Sequence, residues 1–90
     1  MEYFYNFDPE KNKKLIKFRG ISFEEIIFIL ETKGPLDTVD HHNNKYAHQK
    51  IYIIEIKNYI YFVPFVKEKN KIFLKTIFPH RKATRKYLNK

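Results

Sequence analysis

The rhythm of apolar and polar positions changes twice along this chain and divides it into three parts. Residues 8–33 place apolar side chains at helical spacing. Residues 50–78 alternate, or run together, in strand-length blocks. From residue 80 onward the chain carries five Lys and Arg in eleven residues and contains no acid.

Asp8-Pro9 opens the first helix. The Asp8 carboxylate can accept from the first free N–H groups, and Pro9 lacks only a donor that would go unused there. The helix is expected to run to Phe18 or Arg19, with Gly20 as its C-terminal cap. Lys11, Lys13, Lys14, Lys17 and Arg19 make it cationic, and Leu15, Ile16 and Phe18 form its narrow apolar face. Ser22-Phe23-Glu24-Glu25 is a capping box that starts a second helix, reaching about Glu31. Its Phe23, Ile26, Ile27 and Leu30 share one buried face, and Lys33-Gly34-Pro35 ends it.

Tyr3-Phe4-Tyr5-Asn6-Phe7 suits a short edge strand, and Leu36–Asp40 a first strand of the main sheet. His41–Gln49 is a polar connection. Lys50–Ile56, Tyr59–Val66 and Lys71–Phe78 form a three-strand meander, turning at Lys57-Asn58 and Lys67–Asn70. Pro64 cannot donate to a ladder, so an edge or a bulge is expected there. Strict alternation would send Ile72, Leu74, Thr76 and Phe78 toward the helices, and Lys71, Phe73, Lys75 and Ile77 away. Pro79 stops the third strand, and Ala83–Leu88 has helical propensity. Arg81 and Arg85 would share one face if that helix began early.

Composition narrows the class. Ninety residues make one domain, 1–90, and 43% hydrophobic content with nine Phe and seven Tyr argues against disorder. With no cysteine there is no disulfide. No apolar run approaches the roughly 20 residues of a membrane span, and Met1-Glu2-Tyr3-Phe4 lacks the pattern of a signal peptide, so a cytoplasmic protein is expected. A net charge of +8 draws the chain to anionic partners. There are no internal repeats and no glycine-rich phosphate loop.

Three segments, in order, carry a resemblance: Phe7-Asp8-Pro9-Glu10-Lys11, Arg19-Gly20-Ile21-Ser22-Phe23-Glu24-Glu25 and Arg81-Lys82-Ala83-Thr84-Arg85. Together they resemble the BrnT-type toxins of bacterial type II toxin–antitoxin pairs, whose patterns are F-x-W-D-P-x-K, K-H-G-V/I-S-F-E-E and S-A-R-x-A-T/S-x-x-E. The resemblance spans the chain nearly end to end. In this sequence Asn6 and Phe7 stand where the family favours a Trp, Phe18-Arg19 replaces Lys-His, Pro79-His80 replaces small residues, and Tyr87 occupies the glutamate region.

The resemblance implies a RelE/ParE-like α+β fold: two N-terminal helices on an antiparallel sheet, built from the meander and one or two further strands, with a short basic C-terminal helix. It also implies a metal-independent ribonuclease that blocks translation. The implied partners are an RNA substrate and a DNA-binding antitoxin, of ribbon-helix-helix type, through which any oligomer would form. No cofactor, metal or membrane is expected. His41, His42 and His48 on one polar loop are a weak metal pattern.

Metal-free cleavage uses the RNA's own 2′-OH as nucleophile. It needs a base for that proton, an acid for the 5′-oxygen, and cations for the transition state. Arg81 matches the family's arginine after the last strand and is the candidate transition-state clamp, with Arg85 a second phosphate contact. His80 and His48 are the candidate acid/base residues. Lys11, Lys14, Arg19, Lys50, Lys82 and Lys86 are candidate RNA contacts. Tyr52, Tyr59 and Tyr61 read as core or sheet surface, with room for one to stack on a base. Glu55 is read as pairing with Lys57 or Lys75 rather than as a base. Two alternatives remain open: a non-catalytic basic module that binds an antitoxin or nucleic acid, and a ParE-like gyrase inhibitor.

Overall fold

The computed structural model describes residues 2–41, 43, 45 and 48–89. Local chemistry starts and stops the first two helices. Asp8 Oδ1 accepts from Glu10 N (3.0 Å) and Pro9 begins α1 (Pro9–Arg19). Gly20, at φ 67°, ends it. Ser22 and Glu25 form the reciprocal capping box of α2 (Phe23–Thr32). Phe23 and Ile26 are fully buried, each burial contributing about 1.5–3 kcal/mol.

The α1 face differs from expectation. Leu15 is buried, but Ile16 and Phe18 are 51% and 75% exposed. The second inward residue is Asn12. Its Nδ2 donates to Glu24 Oε1 (2.7 Å) and its Oδ1 accepts from Phe23 N (2.8 Å), which fastens α1 to the start of α2.

The strands are β1 (Phe4–Asn6), β2 (Asp37–Asp40), β3 (Lys50–Ile56), β4 (Tyr59–Glu68), β5 (Lys71–Leu74) and β6 (Phe78–Pro79), followed by α3 (Arg81–Leu88). They form one mixed sheet in the order β1-β5-β4-β3-β2, with β6 also paired to β4. β1 runs parallel to β5, and the other pairings are antiparallel. The expected α+β architecture is therefore present. Lys57 and Asn58 both take positive φ (51° and 66°) at the β3–β4 turn, the backbone that tight hairpins favour.

The third meander strand is broken, and Pro64 lies opposite the break. Phe65 pairs with Leu74 and Phe62 with Phe78, so Val63 and Pro64 face three residues, Lys75, Thr76 and Ile77. This is a bulge, placed where β4 lacks a donor. It shifts the alternation by one residue. Ile77, expected to point away, is fully buried against the helix-side core. Phe78, expected to face the helices, instead packs on Phe62 with ring centroids 5.7 Å apart.

The sheet consequently carries a core on each face. On the first, Tyr52, Ile54, Val63, Phe65, Ile72, Leu74 and Ile77 pack under Leu15, Phe23 and Ile26. On the second, Ile51, Ile53 and Ile60 pack under Ala83, Tyr87 and Leu88 of α3. Among the described residues, no helix is long and apolar enough to cross a membrane.

Candidate nucleic-acid interface

The helices α1 and α2 leave the Lys50 end of their sheet face open. There a groove of about 420 Å³ is lined by Tyr3, Thr38, His48, Lys50, Tyr52, Phe65, Lys67 and Ile72. Strand alternation builds it. Lys50 pairs with Phe65, Tyr52 with Thr38, and Lys67 with Ile72, so each pair points to the same side. Tyr52 and Phe65 stack at the floor, with centroids 3.9 Å apart and planes 10° from parallel. Lys67 Nζ lies 4.7 Å from the Tyr3 ring centroid and donates to its hydroxyl (3.3 Å). Burial first, then the neighbouring Tyr5 and Tyr3, push the Tyr52 hydroxyl up to about 12. It therefore stays protonated at neutral pH and can donate, not act as a base. His48 is the one imidazole that lines the groove among the described residues.

The helix α3 lies across the other face. Its docking is specific. His80 Nδ1 accepts from Ala83 N (3.1 Å) and caps the helix, while its ring stacks on Phe62 with centroids 4.1 Å apart. Thr84 Oγ1 accepts from Ile60 N (3.0 Å) and donates to His80 O (2.8 Å). His80 N donates to Ile60 O (2.9 Å), which closes the junction. Tyr87 donates its hydroxyl proton to Asp37 Oδ2 (3.0 Å). Partial burial, and then that bond, hold the Tyr87 hydroxyl above its ordinary range.

With Ala83, Thr84, Tyr87 and Leu88 turned inward, Arg81, Lys82, Arg85 and Lys86 occupy the outside. The helix begins at Arg81, earlier than Ala83, so Arg81 and Arg85 do stand one turn apart. Among the described residues, no carboxylate forms an ion pair with any of these four.

The four expected catalytic residues thus fall into two groups. Arg81, His80 and Arg85 belong to the α3 face, and His48 to the groove on the opposite face. Lys50 lies in the groove and Lys82 and Lys86 on α3. Lys11, Lys14 and Arg19 line a separate shallow depression along α1, with Leu15, Phe18 and Thr76. His42 lies outside the described residues. Among those described, no three His, Asp or Glu side chains come close enough to share a metal.

Sequence reading missed Lys67, which looked like part of a turn. β4 extends to Glu68, and the in-phase series Tyr61, Val63, Phe65, Lys67 was the available signal. A larger depression of about 590 Å³ lies where β1, β5 and the end of β4 meet, among Phe4, Val66, Lys71 and Phe73, without a histidine.

Comparison of the sequence with protein-family models and with curated proteins gives no match. Among solved structures, the chain is similar to the solution structure of the conserved hypothetical protein HP0894 from Helicobacter pylori. The TM-score is 0.55 at 17% identity, over 87% of this chain and 94% of that one. At that identity the likeness is one of fold.

Proposed function

We propose that this chain is the toxin of a type II toxin–antitoxin pair, of BrnT-like, RelE/ParE-like type, and that it cleaves RNA in the groove of the α1/α2 face without a metal. The observation that carries this reading is the groove itself: two lysines and one histidine around a stacked aromatic floor. A base can lie against the Tyr3 ring at the rim, which is 38% exposed, above the buried Tyr52–Phe65 pair. Lys50 and Lys67 hold the phosphate and stabilise the charge that grows on it. His48 takes the 2′-OH proton and can return a proton to the departing 5′-oxygen. The protonated Tyr52 hydroxyl is a further donor. Arg81 and Arg85 become contacts to RNA outside this centre, and His80 becomes the support for their helix.

The test is incubation of the purified chain with single-stranded RNA in EDTA. Cleavage is expected, with a loss of about 10²–10⁴-fold in His48→Ala, the range for a general acid–base residue. Undiminished cleavage by the folded variant would remove His48 from the mechanism.

One observation favours a second reading. Among the described residues the groove offers a single imidazole and no carboxylate, where cleavage calls on an acid and a base. A non-catalytic RNA- or antitoxin-binding module would bind without cleaving, and the same assay separates the two.

A further inference from the structure

We infer that the outer surface of α3 docks the phosphate backbone of structured nucleic acid, apart from the groove that receives the single strand. The inference rests on the RNA reading above and gives that substrate a second hold.

Arg81, Lys82, Arg85 and Lys86 form two adjacent rows, each spanning one turn of a helix with about 5.4 Å pitch. The rows are held rigidly. The Thr84 hydroxyl and the His80 backbone N–H bond the start of the helix to Ile60 on β4, His80 Nδ1 caps it, and Tyr87 fixes its end to Asp37 on β2. Four like charges on two turns repel one another, and no ion pair relieves them among the described residues. Of the nearby acids, Asp37 is engaged by Tyr87, and Glu55 stands exposed on the same face, opposite Ile60 in the ladder.

The chemistry of the surface chooses the ligand. Its outward side chains carry only donors and positive charge, while Tyr87, the one aromatic ring of the helix, is committed to the sheet. Such a surface recognises phosphate oxygens and does not read or stack on bases. A rigid row fits a regular backbone, so a duplex suits it better than a flexible strand.

The experiment measures binding of a short blunt RNA duplex, and of a DNA duplex of the same sequence, from about 50 to 200 mM salt. Each neutralised phosphate contributes a slope of about −0.9 in log affinity against log salt, so four contribute about −3.6, or roughly a hundredfold over that range. The variant Arg81→Gln/Lys82→Gln/Arg85→Gln/Lys86→Gln should lose that much slope. If it fails to fold, Arg81→Gln/Arg85→Gln and Lys82→Gln/Lys86→Gln should each lose half. A slope common to both duplexes places the contact on phosphates, and one confined to RNA places it on A-form geometry; either upholds the inference. An unchanged slope in folded variants overturns it. So does a variant that keeps the slope but loses a co-expressed acidic protein, which would assign the surface to that partner. The readout does not involve cleavage. A chain that cleaves nothing yet shows the slope refutes the ribonuclease alone, and one that cleaves without the slope refutes the docking surface alone.

Discussion

Thr84→Val replaces a buried hydroxyl by a methyl of nearly the same shape, at the point where α3 meets the sheet. Thr84 is 8% exposed and its Oγ1 is the acceptor of the Ile60 N–H. Ile60 is fully buried, so water cannot take the place of that acceptor. The other bond of the hydroxyl matters less, because His80 O also accepts from Thr84 N (3.0 Å) and keeps that partner. The loss therefore centres on one stranded N–H, at about 1–3 kcal/mol. For a domain of this size each kcal/mol shifts Tm by about 4–8 °C, which puts the expected fall near 8–16 °C for a mid-range loss. Thr84→Ser retains the oxygen and should lose less than half as much. Thermal unfolding followed by circular dichroism gives both values, and amide exchange at Ile60 should accelerate only in the valine variant. Equal stability of Thr84→Val and wild type would refute the claim that this bond fastens the helix.

Further outcomes are expected elsewhere. Asn12→Ala strands the Phe23 N–H and frees α1 from α2, costing about 1–3 kcal/mol in denaturant titration, whereas Lys13→Ala on the exposed face should cost under about 0.5 kcal/mol. Phe23→Ala empties a fully buried site against Phe7 and should cost about 3–5 kcal/mol. Tyr52 sets an alkaline limit. Burial favours its neutral form in the folded chain, so stability should be level below pH 10.0, the unfolded value, and fall toward about 12, the folded one. At about 1.4 kcal/mol per pH unit the loss is at most about 3 kcal/mol, and less to the extent that solvent screens the half-buried ring. Tyr52→Phe should reduce this fall, as read by unfolding at successive pH values.

The parts of the fold legible in the sequence were those set by neighbours along the chain. Asp8-Pro9, Gly20 and Ser22–Glu25 act within one helical turn, and they set both ends of α1 and the start of α2. The bulge at Lys75–Ile77 was half legible. Pro64 announced a disturbed ladder, but which residues would be displaced depends on a strand that pairs across the sheet. The α1 face misled because Ile16 and Phe18 are apolar while the inward residue is Asn12, whose value lies in two hydrogen bonds to another helix. The site was hardest to read. Arg81 and His48 look like partners in a list of candidates, and only the topology of the sheet places them on opposite faces. His80 looked like an acid/base residue, yet its Nδ1 serves as a helix cap, a position usually given to Ser, Thr, Asp or Asn.

A ribonuclease of the proposed kind takes single-stranded RNA into the groove of the α1/α2 face. The most direct test is an amide NMR titration with a short 2′-O-methyl oligoribonucleotide, which lacks the nucleophile and so remains intact. At about 200 mM salt, where backbone contacts are weakened, the largest shifts should fall at His48, Lys50, Tyr52, Phe65 and Lys67. Shifts confined to residues 80–88, with the groove silent, would exclude the groove as the place where the strand binds.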